Sequence, residues 1–270
     1  MYINFGIIKA REGLADMKNV ETRALVLFSR NYREQDKLVK IFTESFGKRM
    51  FFVKNASKSK FSSSLQNFTQ LDLLGTINDD GLSFISDISE TIIYKTINTD
   101  IFAQAYASYL IGLVDVAIAD NQYDPSLYGF LIKSLELIDK QVDMAIITNI
   151  FELQVMSRFG TQLDFGQCVF CHRTDLPMDF SYQYNGCLCR EHFDKDTART
   201  QVDPNIIFLC HTFMTIELSQ LPSLKLSDEL KLKLRQFIDG LYEHYIGVQI
   251  KAKKFIDGMD SWADIIDRKS

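Results

Sequence analysis

The chain has 270 residues, is 46% apolar and 12% aromatic, and carries a formal net charge of −5. That is enough apolar material for a buried core and enough length for two domains of ordinary size. The most apolar stretch, residues 110–119, is broken by Asp115 and too short to span a membrane, and the first residues lack the basic-then-apolar order of a signal peptide, so a cytoplasmic protein is expected.

The negative total conceals a polarised distribution. Residues 17–60 hold eleven Lys/Arg against four Asp/Glu, and the rest of the chain is acidic. This pattern predicts a basic binding face on an otherwise acidic body. Residues 1–16 fit no pattern and are read as an extended or unstructured segment. Ala24–Phe28, Lys37–Thr43 and Arg49–Val53 predict three strands, with a turn at Glu44–Gly47. A basic, serine-rich loop, Lys54–Ser64, follows. Phe68–Leu74 predicts a fourth strand, Asn78-Asp79-Asp80-Gly81 a tight hairpin turn, and Leu82–Ile85 the returning strand. Thr91–Ile97 is read as extending the sheet. Short strands with tight turns in this number predict a small β-barrel over residues 17–97.

Helical signals begin near residue 98, with Asn98 or Thr99 as the cap. Phe102, Tyr106, Tyr109, Leu113 and Val116 then recur at helical spacing and read as core. Asp124-Pro125 opens a second helix to about Lys140. A third runs from about Asp143 to Phe159 and stops at Gly160. Asp203-Pro204 opens one to about Leu218. Ser227 begins a long helix with Leu230, Leu234, Phe237, Leu241 and Tyr245 on one face, and a short helix covers about Lys251–Asp257. The fold class expected is α+β: a small barrel, then an all-α domain over 98–270 carrying a zinc-finger-like insertion at about 164–195.

That insertion is read from Cys168-x2-Cys171 and, after seventeen intervening residues, Cys189-x2-His192. Each pair offers two ligands from one turn, and the segment between lets the second turn fold back onto the same metal. Gly186 is read as the residue that eases the turn before the second pair. Chance clustering of core cysteines is the plainer reading, and four of five cysteines within so short a span weigh against it. Cys187 competes for the fourth position, His172 would have to fold back awkwardly, and Cys210 lies in an apolar run and reads as core. Neither H-x-E with P-C-x-x-C nor H-E-x-x-H is present. Four protein ligands leave no open position, so the expected cofactor is a structural Zn2+ and no enzyme is expected.

The cationic set is Arg23, Arg30, Arg33, Lys37, Lys40, Lys48, Arg49, Lys54, Lys58 and Lys60. Lysines that guard a strand edge would account for two or three of these. Aromatic residues are interleaved with the charges, and Tyr32 and Phe61, beside loops, are the best placed to stack on bases. A basic groove with aromatic faces is the pattern of single-strand nucleic-acid binding. Phe46-Gly47-Lys48-Arg49 lacks the first glycine and the hydroxyl residue of a phosphate loop.

Residues 21–60 resemble the opening of the RecO family of bacterial recombination mediators. The matching positions are Val26-Leu27, then Tyr32, Glu34, Asp36, Lys37 and Leu38, then Phe42-Thr43 and Gly47, then the basic loop from Ala56 to Lys60. The metal segment is similar too, with Phe180-Ser181, Gly186 and Leu188-Cys189 between and within the ligand pairs. The resemblance covers about residues 17–260. His192 stands where many members have Cys, and Cys187 replaces a usual apolar residue. The resemblance implies an N-terminal OB-fold, a helical C-terminal domain and a zinc module. It further implies binding of single- and double-stranded DNA, strand annealing, and action with RecR to help RecA displace single-strand-binding protein (SSB), with RecF in the same pathway and no membrane partner. A mediator of this kind needs a grip on the acidic, apolar-tipped SSB tail. Lys231, Lys233, Arg235, Lys251, Lys253 and Lys254, near Leu234, Phe237, Tyr242 and Phe255, are expected to supply it. Solvated helix faces would explain the same lysines. A zinc-ribbon adaptor in transcription or RNA processing is the alternative function, and a nucleic-acid-modifying enzyme a further one.

Overall fold

A computed structural model describes residues 18–221 and 225–258, so the expected N-terminal segment 1–16 lies outside the described residues. Packing divides the chain into two units. One holds residues up to Ala107 together with Ile118–Lys140, and the other holds Ser108–Ala117 together with residues from Gln141 onward. A cut at residue 97 follows the order of the elements along the chain. Packing instead returns 118–140 to the barrel unit.

In the first unit, strands β1 (Lys18–Tyr32), β2 (Asp36–Thr43), β3 (Gly47–Val53), β4 (Gln70–Ile77) and β5 (Ser83–Ile92) close a barrel in the order β1-β2-β3-β5-β4. A five-stranded closed barrel of this kind is the OB architecture. β1 is much longer than the strand expected at 24–28. It pairs with β4 through Lys18–Leu25 and with β2 through Ala24–Tyr32, and a bulge between Val26 and Phe28 lets it bend from one partner to the other. Ala24, Val26, Val39, Ile41, Phe51 and Leu73 fill the interior. The barrel closes where β3 meets β5 in parallel, through Phe51↔Ser83 and Phe52↔Phe84 alone.

Of residues 91–97, only Thr91 and Ile92 belong to the sheet. β5 stops at Ile92, and helix α1 (Lys95–Thr99) follows. The Asp139 carboxylate accepts from the N–H groups of Lys95 (3.3 Å) and Ile97 (3.0 Å), satisfying donors that a strand would have paired. The cap of helix α2 (Ile101–Ala117) is Asp100, which accepts from the Ala103 N–H at 2.8 Å, rather than Asn98 or Thr99. Those two side chains bond back to the carbonyls of Tyr94 and Lys95. Phe102 and Val116, read as core, are each about half exposed. Helix α3 (Pro125–Asp139) starts at the Asp124 cap, as expected.

In the second unit, helix α4 (Met144–Val155) is buried on nearly every side and ends through a 3-10 turn at Gly160, whose φ is +79°. Helix α5 (Pro204–Thr215) is shorter than expected, and a separate 3-10 turn covers Leu218–Gln220. Helix α6 (Asp228–Tyr245), capped by Ser227, buries Leu234, Phe237, Ile238, Leu241 and Tyr242 along one stripe. Residues 251–258 form helix α7. Strands β6 (Met178–Ser181) and β7 (Gly186–Cys189) form a hairpin and are themselves buried, with the Phe180 ring against Phe165 and Phe237. No helix among the described residues is long and apolar enough to cross a membrane.

Candidate metal centre and nucleic-acid interface

Cys168, Cys171, Cys189 and His192 bring one donor atom each to within 4.8 Å of one another. The first turn is closed by the His172 N–H on the Cys168 carbonyl (2.9 Å), with His172 itself in the left-handed region at φ 57°. It is tied to the hairpin by the Val169 N–H on the Cys187 carbonyl (2.9 Å). Cys189 ends β7, and His192 follows in the 3-10 turn Arg190–Lys195. Gly186 is needed for close approach rather than for turning. A Cβ there would lie 2.6 Å from Val169 Cγ1, and the left-handed residue of the hairpin is Asn185 at φ 50°.

The donor spacing fits a tetrahedral ion. Bond lengths of roughly 2.3 Å to sulfur and 2.0–2.1 Å to nitrogen give tetrahedron edges of about 3.8 Å for S···S and 3.6 Å for S···N. Cys171 and Cys189 Sγ are 3.7 Å apart, and His192 Nδ1 is 3.6 Å from Cys168 Sγ and 3.3 Å from Cys189 Sγ. Phe170 stacks on the His192 ring at 5.4 Å and 21°, holding its orientation. Burial acts to raise the Cys168 pKa, but backbone N–H groups of Cys189, Cys171 and Phe170 outweigh it and bring the thiol down to about 6. Cys189, in the same cluster, is shifted the other way, up to about 11, chiefly by burial. Cys187 lies outside this four-donor group. Its thiol is fully buried and pushed far up by that burial, as is that of neighbouring Cys210. His172 bonds Gln167 instead.

The cationic set does not form one face. Lys48 is fully buried, and Lys40 and Arg49 are nearly so. Lys40 and Lys48 reach Asp120 at 2.9 and 3.5 Å, and Arg49 pairs with Asp79 at 2.9 Å while donating to the carbonyls of Phe46 and Asn78. These three, read as part of the cationic nucleic-acid-binding set, instead tie the barrel to segment 118–122 and to the β4–β5 turn. The approach is close: Gly47, at φ +70°, has its missing Cβ 2.2 Å from the Gln122 carbonyl oxygen. Arg23 is exposed but forked onto Glu44, and Lys60 pairs with Asp87 at 2.7 Å. Arg30, Arg33, Lys54 and Lys58 are exposed and Lys37 half-buried, and none makes an ion pair among the described residues. Tyr32 is 40% exposed with the Arg33 guanidinium 5.2 Å from its ring centre. Phe61 is half-buried against the barrel core, with Lys60 over its ring. Phe84, which no sequence pattern singled out, is exposed beside Phe52. Only the β3–β5 pairing brings the two together.

Comparison with known proteins supplies the family. Residues 17–92 match the family model Recombination protein O N terminal, and residues 98–254 match Recombination protein O C terminal. A protein of Lactococcus lactis subsp. lactis called DNA repair protein RecO is 60% identical over 250 residues, covering 93% of this chain and all of that one. Proteins of the same name from Streptococcus agalactiae and Streptococcus suis are 51% and 50% identical over 250 residues, again covering 93% of this chain, and 99% and 96% of theirs. The chain belongs to the RecO family. The barrel lies in the RecO N-terminal match and the metal cluster in the C-terminal one.

The residues that the RecO resemblance marked for an SSB grip are scattered. Arg235 is forked onto the buried Glu152 carboxylate, and it also reaches Asn149 (2.7 Å) and Asp239 (2.9 Å). Phe237, Leu234 and Tyr242 are core. Lys231 pairs with Asp143, Lys233 with Glu229, and Lys253 with Asp239 and Asp257. Arg235 and Phe237 are therefore packing residues, because α6 turns its apolar stripe, and Arg235 with it, toward α4. What remains is Lys251, Lys254 and Phe255 on α7, spaced to share one helix face, with Lys251 and Phe255 exposed.

Proposed function

We propose that this chain is a non-catalytic, DNA-binding mediator of recombinational DNA repair. It binds single- and double-stranded DNA, anneals complementary strands, and acts with RecR to load RecA onto SSB-coated DNA, with RecF in the same pathway. The observation that carries this reading is similarity over nearly the whole chain to proteins named DNA repair protein RecO. The barrel adds support, since its Arg30, Arg33, Lys54 and Lys58 are open to phosphate. Residues 17–97 are proposed as the DNA-binding part and 98–270 as the part that meets protein partners. Cys168, Cys171, Cys189 and His192 are proposed to hold one Zn2+. With all four positions taken by protein, the ion would hold the insertion in shape and leave no place for a reacting water. Lys251, Lys254 and Phe255 are proposed to meet the SSB tail. The protein would work in the cytoplasm, at the nucleoid.

The test is annealing of complementary strands, bare and SSB-coated, without nucleotide cofactor. Acceleration on both substrates is the expected result. A protein that neither binds nor anneals DNA would overturn the reading.

A further inference from the structure

The outer face of the barrel is divided in two. At one end the 118–128 segment covers it, with Tyr128 edge-on to Phe42 at 5.4 Å and Asp120 holding Lys40 and Lys48. At the other end a cross-strand row, Arg30–Leu38–Phe52–Phe84, runs over β1, β2, β3 and β5. Phe51 and Ser83 are buried, so the two-residue period of a strand turns Phe52 and Phe84 outward. Their rings meet edge-to-face at 6.4 Å, and Tyr32 joins Phe52 in the same way at 6.2 Å. Phe84 and Tyr32 are each 40% exposed.

Beside these rings lies an open cleft of about 340 Å³, bounded by Phe52, Lys54, Ser59, Phe61 and Phe84. Among the described residues, no acidic one lines it. Of the nearby carboxylates, Asp36 accepts from the Asn55 N–H at 2.9 Å, Asp87 holds Lys60, and Glu34 lies exposed in the β1–β2 turn. The surrounding charge is cationic, from Arg30 in the row, Arg33 over Tyr32 and Lys54 in the cleft. Tyr32 and Phe84 leave apolar ring surface open to water on either side of the half-buried Phe52, and that surface calls for an occupant. An occupant with flat apolar faces joined by anionic links fits both the rings and the charge.

We propose that Tyr32, Phe52 and Phe84 form a base-stacking platform for single-stranded nucleic acid, with bases against the rings at the cleft and the strand's phosphates along Arg30, Arg33 and Lys54. This rests on the DNA-binding reading above and adds to it the residues that tell single strand from duplex. A duplex keeps its base faces stacked inside and can offer only phosphates to this surface, whereas an unpaired base has a face to give.

The experiment measures binding of the full chain to oligothymidylate, to an abasic oligonucleotide of equal length and to a duplex. Phe52→Leu/Phe84→Leu keeps apolar volume and removes both rings. It is expected to lose affinity for oligothymidylate by on the order of tenfold or more, with binding to the abasic strand and the duplex unchanged. Phe84→Tyr keeps the ring and should keep the native affinity, which separates stacking from damage to the barrel seam. An unchanged affinity for oligothymidylate in the double variant overturns the platform, as does an equal loss on the abasic strand. Failure of the native chain to bind any of the three ligands would instead overturn the DNA-binding reading itself.

Discussion

Arg235 and Glu152 form a charged pair in the second unit, the carboxylate fully buried and the guanidinium nearly so. Tyr109 donates to the same carboxylate at 2.5 Å, and Asn149 accepts from Arg235. Burial works against the Arg235 charge, but the Glu152 carboxylate more than offsets it and its pKa is raised. Removing one partner of such a pair strands the other charge in a dry site. Arg235→Met should lower the unfolding free energy by about 3–5 kcal/mol, read from urea denaturation. Binding of an SSB tail peptide by the folded fraction should not change.

The metal cluster makes a separate prediction. Purified protein should contain one zinc per chain, and Cys171→Ser should lose it. Because the binding free energy of such a site is folding free energy, chelation should also lower the melting temperature. Cys187→Ser should keep the metal, since that buried thiol lies outside the four-donor group. Zinc loss in Cys187→Ser with retention in Cys171→Ser would reverse the ligand assignment.

For DNA, the buried and exposed cations should behave differently. Arg30→Ala, Arg33→Ala, Lys54→Ala and Lys58→Ala should each weaken single-strand binding and reduce the salt slope by about 0.7 for each phosphate that is no longer neutralised. Lys48→Ala should leave the slope unchanged and cost roughly 1–3 kcal/mol of stability, because it removes a fully buried side chain whose amine reaches the half-exposed Asp120. Titrations across a range of salt concentrations separate the two classes.

On helix α7, charge reversal of the pair Lys251→Glu/Lys254→Glu should abolish binding of an SSB tail peptide and slow annealing of coated strands. Annealing of bare strands should persist. Equal losses on bare and coated strands would make this face part of the DNA surface.

The sequence alone determined several helix starts and the two ligand pairs. Cap residues, proline positions and strand-length apolar runs act within a few residues, so Asp124-Pro125, Asp203-Pro204 and Ser227 mark helix starts where the structure has them. The two ligand pairs are legible for the same reason, because each is one turn of chain. Only the tertiary structure decided which charges face water. Lys48 and Arg49 look no different in sequence from Arg30 or Lys54. Their burial follows from a loop far downstream, at Asp120, and from the β4–β5 turn at Asp79. The same holds for Arg235, whose partner Glu152 lies on another helix, and for Phe84, which meets Phe52 only because β3 and β5 close the barrel. Burial is a property of non-local packing, and residue types and spacings do not contain it.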